Sequence, residues 1–393
     1  MKWKLELPGR GVSSPIIVGD KVFVTCYSGY GMGGDEEGKL EDLKRHLVCI
    51  NRADGKTAWT ATEDAVMPED PYSGMGVPSH GYASHTPTSD GERVYAFYGK
   101  SGVFAYDMDG KKLWQKDVGK ESGRQRWGSS SSPILSDDLL VVLASDESET
   151  MYGLDTKTGE ERWKTPAAGF SNVWGTPALA DGKKGKEIVV AVPEETWALS
   201  TETGKLRWVA PGNGGGSHSI VIADGFAYSI GGSRGGASAV AVKLGGKGEI
   251  DEPAWEEKAS SRFATPVYYD GRIYTIARDA VTCYDASNGE EVYQQRLPAK
   301  LGGGVGDAGG GGGRGGRRGR FGGQSYASPI VANGNLIVTD QGGTVYLVKT
   351  GDEFELVAKN DLTFDKSGFN GTPAVSDGEL FFRSNSHLYC FGK

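Results

Sequence analysis

Short apolar runs broken by turn residues recur along the whole chain. The longest, Leu139 to Ala144 and Ile188 to Val192, are strand-sized. None approaches the ~18 residues of a membrane-spanning helix. The runs group into a repeating unit. It opens on a Ser/Thr-Pro pair, as at Ser132-Pro133, followed by an apolar run. A turn such as Val18-Gly19-Asp20-Lys21 leads to a second run, Val22 to Thr25. A third run ends in an apolar-Asp pair, as in Val103 to Asp107, and an Asp/Thr-Gly turn leads to a fourth that carries Trp. The opening pair recurs at Ser14-Pro15, Thr86-Pro87, Ser132-Pro133, Thr176-Pro177, Thr265-Pro266, Ser328-Pro329 and Thr372-Pro373. A degenerate copy, Ser217-His218-Ser219-Ile220-Val221, reads as having Ser219 in place of Pro. Four short strands in a repeat of roughly 40–50 residues are the pattern of a β-propeller blade. The fold expected is all-β, an eight-bladed propeller of four-stranded antiparallel blades.

The eighth copy begins at Pro373 and the chain stops before its Trp. Trp3 precedes Pro15 by the spacing of a fourth strand from the next blade. Met1 to Leu7 is therefore expected to supply the last strand of blade eight, closing the ring and removing a sheet edge. Trp59, Trp114, Trp163, Trp208 and Trp255 share the register of Trp3 and read as structural, packing between blades. Tyr293 stands in that place in the sixth copy and Leu356 in the seventh.

Composition adds limits. Glycine makes up 62 of 393 residues, with nine Trp and seventeen Tyr, which suits turns and strands. A hydrophobic content of 37% excludes wholesale disorder. One domain over 1–393 and a monomer are expected. Within it, the segment 301–323 is dominated by Gly and Arg and is expected to be disordered. Net charge of −8 argues against a broad nucleic-acid surface, and the Gly/Arg arm is the one segment with such potential. Cys26, Cys49, Cys283 and Cys390 have no metal-binding spacing. Gly29-x-Gly31-x-x-Gly34 imitates a dinucleotide fingerprint, but that chemistry needs a parallel βαβ unit, whereas the repeat makes its flanking strands antiparallel neighbours.

Candidate ligand-binding positions come from the residues just before each first strand, which should crowd one end of the central channel. They are Arg10, Tyr82, His85, Arg126, Trp127, Asn172, Trp174, His218, Arg262, Tyr326, Phe369 and Asn370. Aromatic rings with Arg, His and Asn suit stacking on a planar or sugar-like ligand. The histidines have no ligand spacing, so no metal site is expected.

The Asp-x-x-x-Gly-Lys/Glu-x-x-Trp units and Ser/Thr-Pro strand starts resemble the PQQ-binding-like (quinoprotein-type) β-propeller repeat, and the resemblance runs along essentially the whole chain. It is greatest to the BamB-like and uncharacterised bacterial branch. That resemblance implies a non-catalytic binding or scaffold propeller, periplasmic or attached to the cell envelope, with an envelope protein or polysaccharide as partner. It also implies a leader preceding Met1; without an export signal, a cytoplasmic location stays open. The PQQ-dependent alcohol dehydrogenases of the same superfamily supply the alternative, an oxidoreductase binding PQQ with calcium, in which Trp127 or Trp174 stacks on the cofactor and Arg126 pairs with its carboxylates. A carbohydrate-binding propeller is the third reading. The adjacent Cys pair of the quinoprotein dehydrogenases does not occur here, so no cofactor is expected.

Overall fold

The computed structural model describes residues 1–33, 38–73, 76–213, 217–233, 236–259, 261, 263–298 and 326–392. The expected disordered arm lies outside the described residues. Eight small antiparallel sheets follow one another along the chain. Blade 1 shows the plan, with strands Ile16–Val18, Lys21–Ser28, Lys44–Asn51 and Thr57–Asp64 paired in chain order. Blade 8 combines Ala374–Ser376, Glu379–Arg383 and His387–Phe391 with the N-terminal strand Trp3–Glu6. Trp3 pairs with Cys390 and Glu6 with His387, so the two ends of the chain close the ring as expected. Blade 4 gains a fifth strand, Gly248–Glu249, which runs parallel to its outer strand Leu206–Pro211.

Apolar clusters fill the spaces between consecutive blades. Val22, Val24 and Val48 of blade 1 meet Phe381, Leu388 and Cys390 of blade 8. Leu139, Val141 and Leu143 of blade 3 meet Ile188, Val190 and Val192 of blade 4. Both faces of each sheet are thereby covered, which is why the inner strands read as unbroken apolar runs.

The tryptophan series joins neighbouring blades. Each indole donates its Nε1–H to a turn carbonyl of the next blade: Trp3 to Arg52 at 2.7 Å, Trp59 to Met108 at 3.0 Å, Trp114 to Thr156 at 3.0 Å, Trp163 to Thr201 at 2.9 Å and Trp255 to Ala286 at 3.0 Å. Each ring also lies on the glycine of that turn, respectively Gly55, Gly110, Gly159, Gly204 and Gly289. Trp208 departs from this pattern. Its indole donates to the Glu187 carboxylate of its own blade at 3.0 Å, and Ile250, from the segment that adds the fifth strand, packs beside it.

Across the sheet, the ring sits opposite a small residue: Trp59 opposite Cys49, Tyr293 opposite Cys283, Trp3 opposite Cys390, and Trp163 opposite Gly153. Three of the four buried free cysteines are thus space-makers for an aromatic ring. In blade 7 the position belongs to Ala358, which pairs with Leu347; Leu356 lies on the far side of the bulge. The expectation for Leu356 is corrected accordingly: the bulge is common to the blades, but the turn before the last strand is one residue longer in blade 7, where the Lys349 amide bonds the Glu355 carbonyl while Asp155 in blade 3 bonds Glu160.

The Ser/Thr residues before the first strands form a second inter-blade series. The backbone amide of each donates to the side-chain oxygen of the next: Ser14 to Thr86, Thr86 to Ser132, Ser132 to Thr176, Thr176 to Ser219, Ser219 to Thr265, Thr265 to Ser328 and Ser328 to Thr372, all at 2.9–3.3 Å. Ser219 therefore occupies the hydroxyl position, and Ile220, not Ser219, stands where the other copies have Pro. At the closure seam, between blades 8 and 1, the buried Arg383 guanidinium donates to the carbonyls of Ser13 at 2.9 Å and Thr25 at 2.6 Å, and to the Ser13 hydroxyl.

Candidate functional site

The hydroxyl series fixes the positions just before it, and these form the wall of the central funnel. A cavity of about 200 Å³ opens there, lined by Val12, Gly76, Ser79, His80, Ser84, Trp127, Ser130, Trp174, Ser217, Phe263, Tyr326 and Asn370. Two aromatic pairs dominate it. Trp127 and Trp174 approach to 5.2 Å between ring centroids, tilted by 33°. Phe263 and Tyr326 stack at 5.0 Å and 19°. Blades 3 and 4 supply the first pair and blades 6 and 7 the second, so the platforms belong to separate arcs of the ring.

Trp127 is held from several directions. Gly76 leaves room for its ring; a Cβ there would come within 2.2 Å of it. His80, at the end of the short helix Val77–His80, bonds the Trp127 carbonyl through Nε2 at 2.8 Å and Ser84 through Nδ1 at 2.6 Å. Burial pushes the His80 imidazole below its ordinary value, so the neutral ring donates to the carbonyl and accepts from the serine. Trp174 donates its indole N–H to the Gly128 carbonyl at 3.0 Å.

Of the positions expected on this wall, Trp127, Trp174, Tyr326 and Asn370 line the cavity. Arg262 lies outside the described residues. The others sit elsewhere. Tyr82 is buried among Tyr27, Tyr30 and Tyr72, its hydroxyl donating to the Asp70 carbonyl at 2.6 Å. His85 is buried against Phe97 and bonds Ser129 at 3.1 Å. His218 is buried against Gly231 and bonds Ser229 at 2.7 Å. Burial lowers both histidines, His85 to about 3 and His218 to about 4, so they are neutral packing groups. Phe369 belongs to the core between blades 7 and 8. Arg10 bonds the Met32 carbonyl. Arg126 is exposed, with its Nε 3.8 Å from Asp70, and Asn172 lines a neighbouring cleft. These positions lie in loops outside the strands, where Arg126 and Asn172 take left-handed φ values of +53° and +59°, so a position count alone does not tell which side chain faces the channel.

Behind Trp127 lies a buried ionic cluster that the sequence did not announce, because its members come from three blades. Arg45 pairs with Glu69, and Lys100 with Asp70 at 3.2 Å. Glu147 accepts from Ser129 at 2.5 Å and its other oxygen has no partner among the described residues. Burial pushes the Glu147 carboxyl up to about 8, leaving it protonated near neutrality. These groups surround a small cavity of about 30 Å³, which shares Trp127 and His80 with the funnel wall.

The family described as outer membrane protein assembly factor BamB matches residues 1–120, 116–249 and 249–353. The chain belongs to this family. Among curated relatives, BamB of Salmonella typhimurium is 25% identical over 336 residues, covering 77% of this chain and 82% of the relative. BamB of Escherichia coli is 25% identical over 399 aligned positions, covering 92% and 94%. Among solved structures, BamB from Moraxella catarrhalis superposes with a TM-score of 0.65 at 12% identity, covering 100% of this chain and 96% of that one. Quinohemoprotein alcohol dehydrogenase from Comamonas testosteroni also reaches 0.65, at 10% identity, covering 100% of this chain and 76% of that one. A protein named as an assembly factor and an alcohol dehydrogenase thus share this fold, which makes the site and not the fold the guide to function. Among the described residues, no helix is long and apolar enough to cross a membrane.

Proposed function

We propose that this BamB-family chain is a non-catalytic recognition propeller of the bacterial cell envelope, which binds a partner protein through its loop-bearing face and central funnel. The observation that carries this reading is the funnel cavity itself. Its described lining is two aromatic pairs with serine, asparagine and a neutral histidine, and holds no carboxylate, lysine or arginine. Such a surface supplies contact area and uncharged hydrogen bonds, the means by which aromatic anchors are recognised. The relatives' name, outer membrane protein assembly factor, supports an envelope protein as partner and an envelope location.

The described residues do not fit PQQ. A planar tricarboxylate would find rings to stack on, but entering this lining would strip water from its carboxylates with no described cation to replace it. Arg126, the expected partner for those carboxylates, lies outside the cavity beside Asp70.

A photo-crosslinking residue at Ser217 would capture the funnel's occupant in envelope fractions, and the purified partner would then be titrated by calorimetry. Trp127→Ala and Tyr326→Ala are each expected to weaken binding at least ~10-fold. Unchanged affinity in both variants overturns the funnel as the recognition site. Saturable one-to-one binding of PQQ with calcium overturns the non-catalytic reading.

A further inference from the structure

A second opening lies on the same rim as the Trp127–Trp174 pair, between the loops that lead into blades 3 and 4. Its volume is about 490 Å³, and Glu121, Ser122, Gly123, Arg124, Asp146, Ser148, Glu149, Ser171 and Asn172 line it. Asp146 is the informative member. It is 95% buried, since only 5% of its surface is exposed, and its Oδ2 has no hydrogen-bond partner among the described residues. Gly123 exists to admit it; a Cβ there would stand 2.4 Å from Oδ1. The lysine nearest in charge, Lys100, is committed to Asp70 at 3.2 Å and Ser122 at 2.7 Å. Asp146 is therefore a desolvated carboxylate without a counter-ion, an arrangement that costs free energy unless a cation completes it. Burial and the neighbouring Asp70 raise its carboxyl to about 6, as expected for such a group.

We propose that this cleft is a binding subsite for a monovalent organic cation, the guanidinium or ammonium of a basic side chain on the partner. Glu121 and Glu149 at the exposed mouth add negative charge, and Arg124 is the one cation in the described lining. Asp146 forms the floor and supplies its negative charge, its Oδ2 being covered and without a hydrogen-bond partner among the described residues. Among the described residues, no group of His, Cys, Asp and Glu has the arrangement of a metal site, which favours an organic cation over a metal ion. A partner segment carrying a basic residue near an aromatic one would engage the cleft and the funnel together. The cleft deepens the reading of the partner given above, but its chemistry stands without the funnel.

Propylguanidine and propylamine, titrated separately into the whole protein by calorimetry at low salt, test it. One-to-one binding is expected, weakening at least tenfold in Asp146→Asn, retained in Tyr326→Ala, and diminishing as salt is raised. The tighter of the two probes identifies Arg or Lys as the source. Asp146→Asn is expected to fold with an unfolding midpoint no lower than the parent's, since it removes an unpaired buried charge. Should that variant fail to fold, Glu149→Gln, at the exposed mouth, is expected to weaken binding two- to fivefold. Absence of binding by both probes, equal binding in the parent and the variants, or Asp146-dependent binding of calcium in place of the probes overturns the proposal. Loss of funnel recognition with the probes still bound overturns only the funnel reading.

Discussion

The indole of Trp59, on the outer strand of blade 1, lies flat on Gly110 in the last turn of blade 2. A Cβ on Gly110 would come within 2.6 Å of the ring, and its φ of +88° is one that residues with side chains rarely adopt. The two residues explain each other. The Gly of the repeated Asp-x-x-x-Gly unit and the Trp at its end do not serve the same blade; each glycine receives the tryptophan of the blade before.

Gly110→Ala is therefore expected to cost stability twice, through left-handed backbone strain and through overlap with the indole. Together these amount to about 2–4 kcal/mol. Gly91→Ala has a similarly positive φ of +89° with nothing near its Cβ, so it carries the backbone cost alone. Urea unfolding of both variants separates the terms. Equal losses would mean that the indole contact adds nothing.

The hydroxyl series makes a different demand. The buried side of the ring needs an oxygen that accepts from the amide of the blade before, so Thr176→Val leaves the Ser132 amide unpaired and is expected to cost about 1–3 kcal/mol. Thr176→Ser retains the acceptor and is expected to lose less than half as much. Denaturant midpoints of the pair check this, and equal losses would assign the effect to packing.

These two series also show what a single sequence discloses. The blades, their number and the closing strand were legible, because each blade repeats its turn glycine, its hydroxyl and its ring. Register was less so. Ser219 and Leu356 do not stand where spacing puts them, the first because one residue stands between two serines, the second because the last turn of blade 7 is one residue longer than that of blade 3. At the site, Trp127, Trp174 and Tyr326 were legible as bulky residues at the right interval. His80 and Gly76 come from the long connection between Trp59 and Pro87, outside the repeated unit, and Arg45, Asp70, Lys100 and Glu147 gather from three blades. Their proximity is a property of the ring alone.

The seam supplies a third test. Arg383 is fully buried and carries its charge among carbonyl oxygens, with Cys26 Sγ at 3.5 Å. Burial lowers its ordinary pKa, though not the need for acceptors. Arg383→Met removes the desolvated charge but strands Ser13 and Thr25, whereas Arg383→Lys retains the charge with fewer donors. The lysine variant is expected to be the less stable of the two, since a compact ammonium is more strongly hydrated and costs more to bury. Thermal unfolding ranks them; a methionine variant less stable than the lysine one would show that the carbonyl bonds outweigh the charge.

The last test is of pH. Glu147 has its carboxyl raised to about 8 by burial, against 4.5 for the free group, so between those values the folded chain holds a proton that the unfolded chain has released. Stability then falls as pH rises through that interval. Asp146, raised to about 6, acts in the same direction at lower pH. His85 and His218, lowered to about 3 and about 4 from 6.5, act in the opposite direction, because the unfolded chain binds their protons first. These opposed contributions offset one another below pH 6.5. From about pH 6.5 to 8 the histidines of the unfolded chain, His46 and His80 included, still release protons and offset part of the Glu147 effect, so the loss of about 1.5 kcal/mol is expected relative to a chain without the Glu147 carboxyl. Glu147→Gln keeps the shape and removes the proton, so its stability should rise slightly across that window as the unfolded histidines finish titrating, and should exceed the parent's most clearly above pH 8. Denaturant titrations at pH 6.5 and pH 8 check both statements. A parent and a variant whose stabilities change in parallel would place the titrating group elsewhere and show that the carboxyl behind Trp127 is not held protonated.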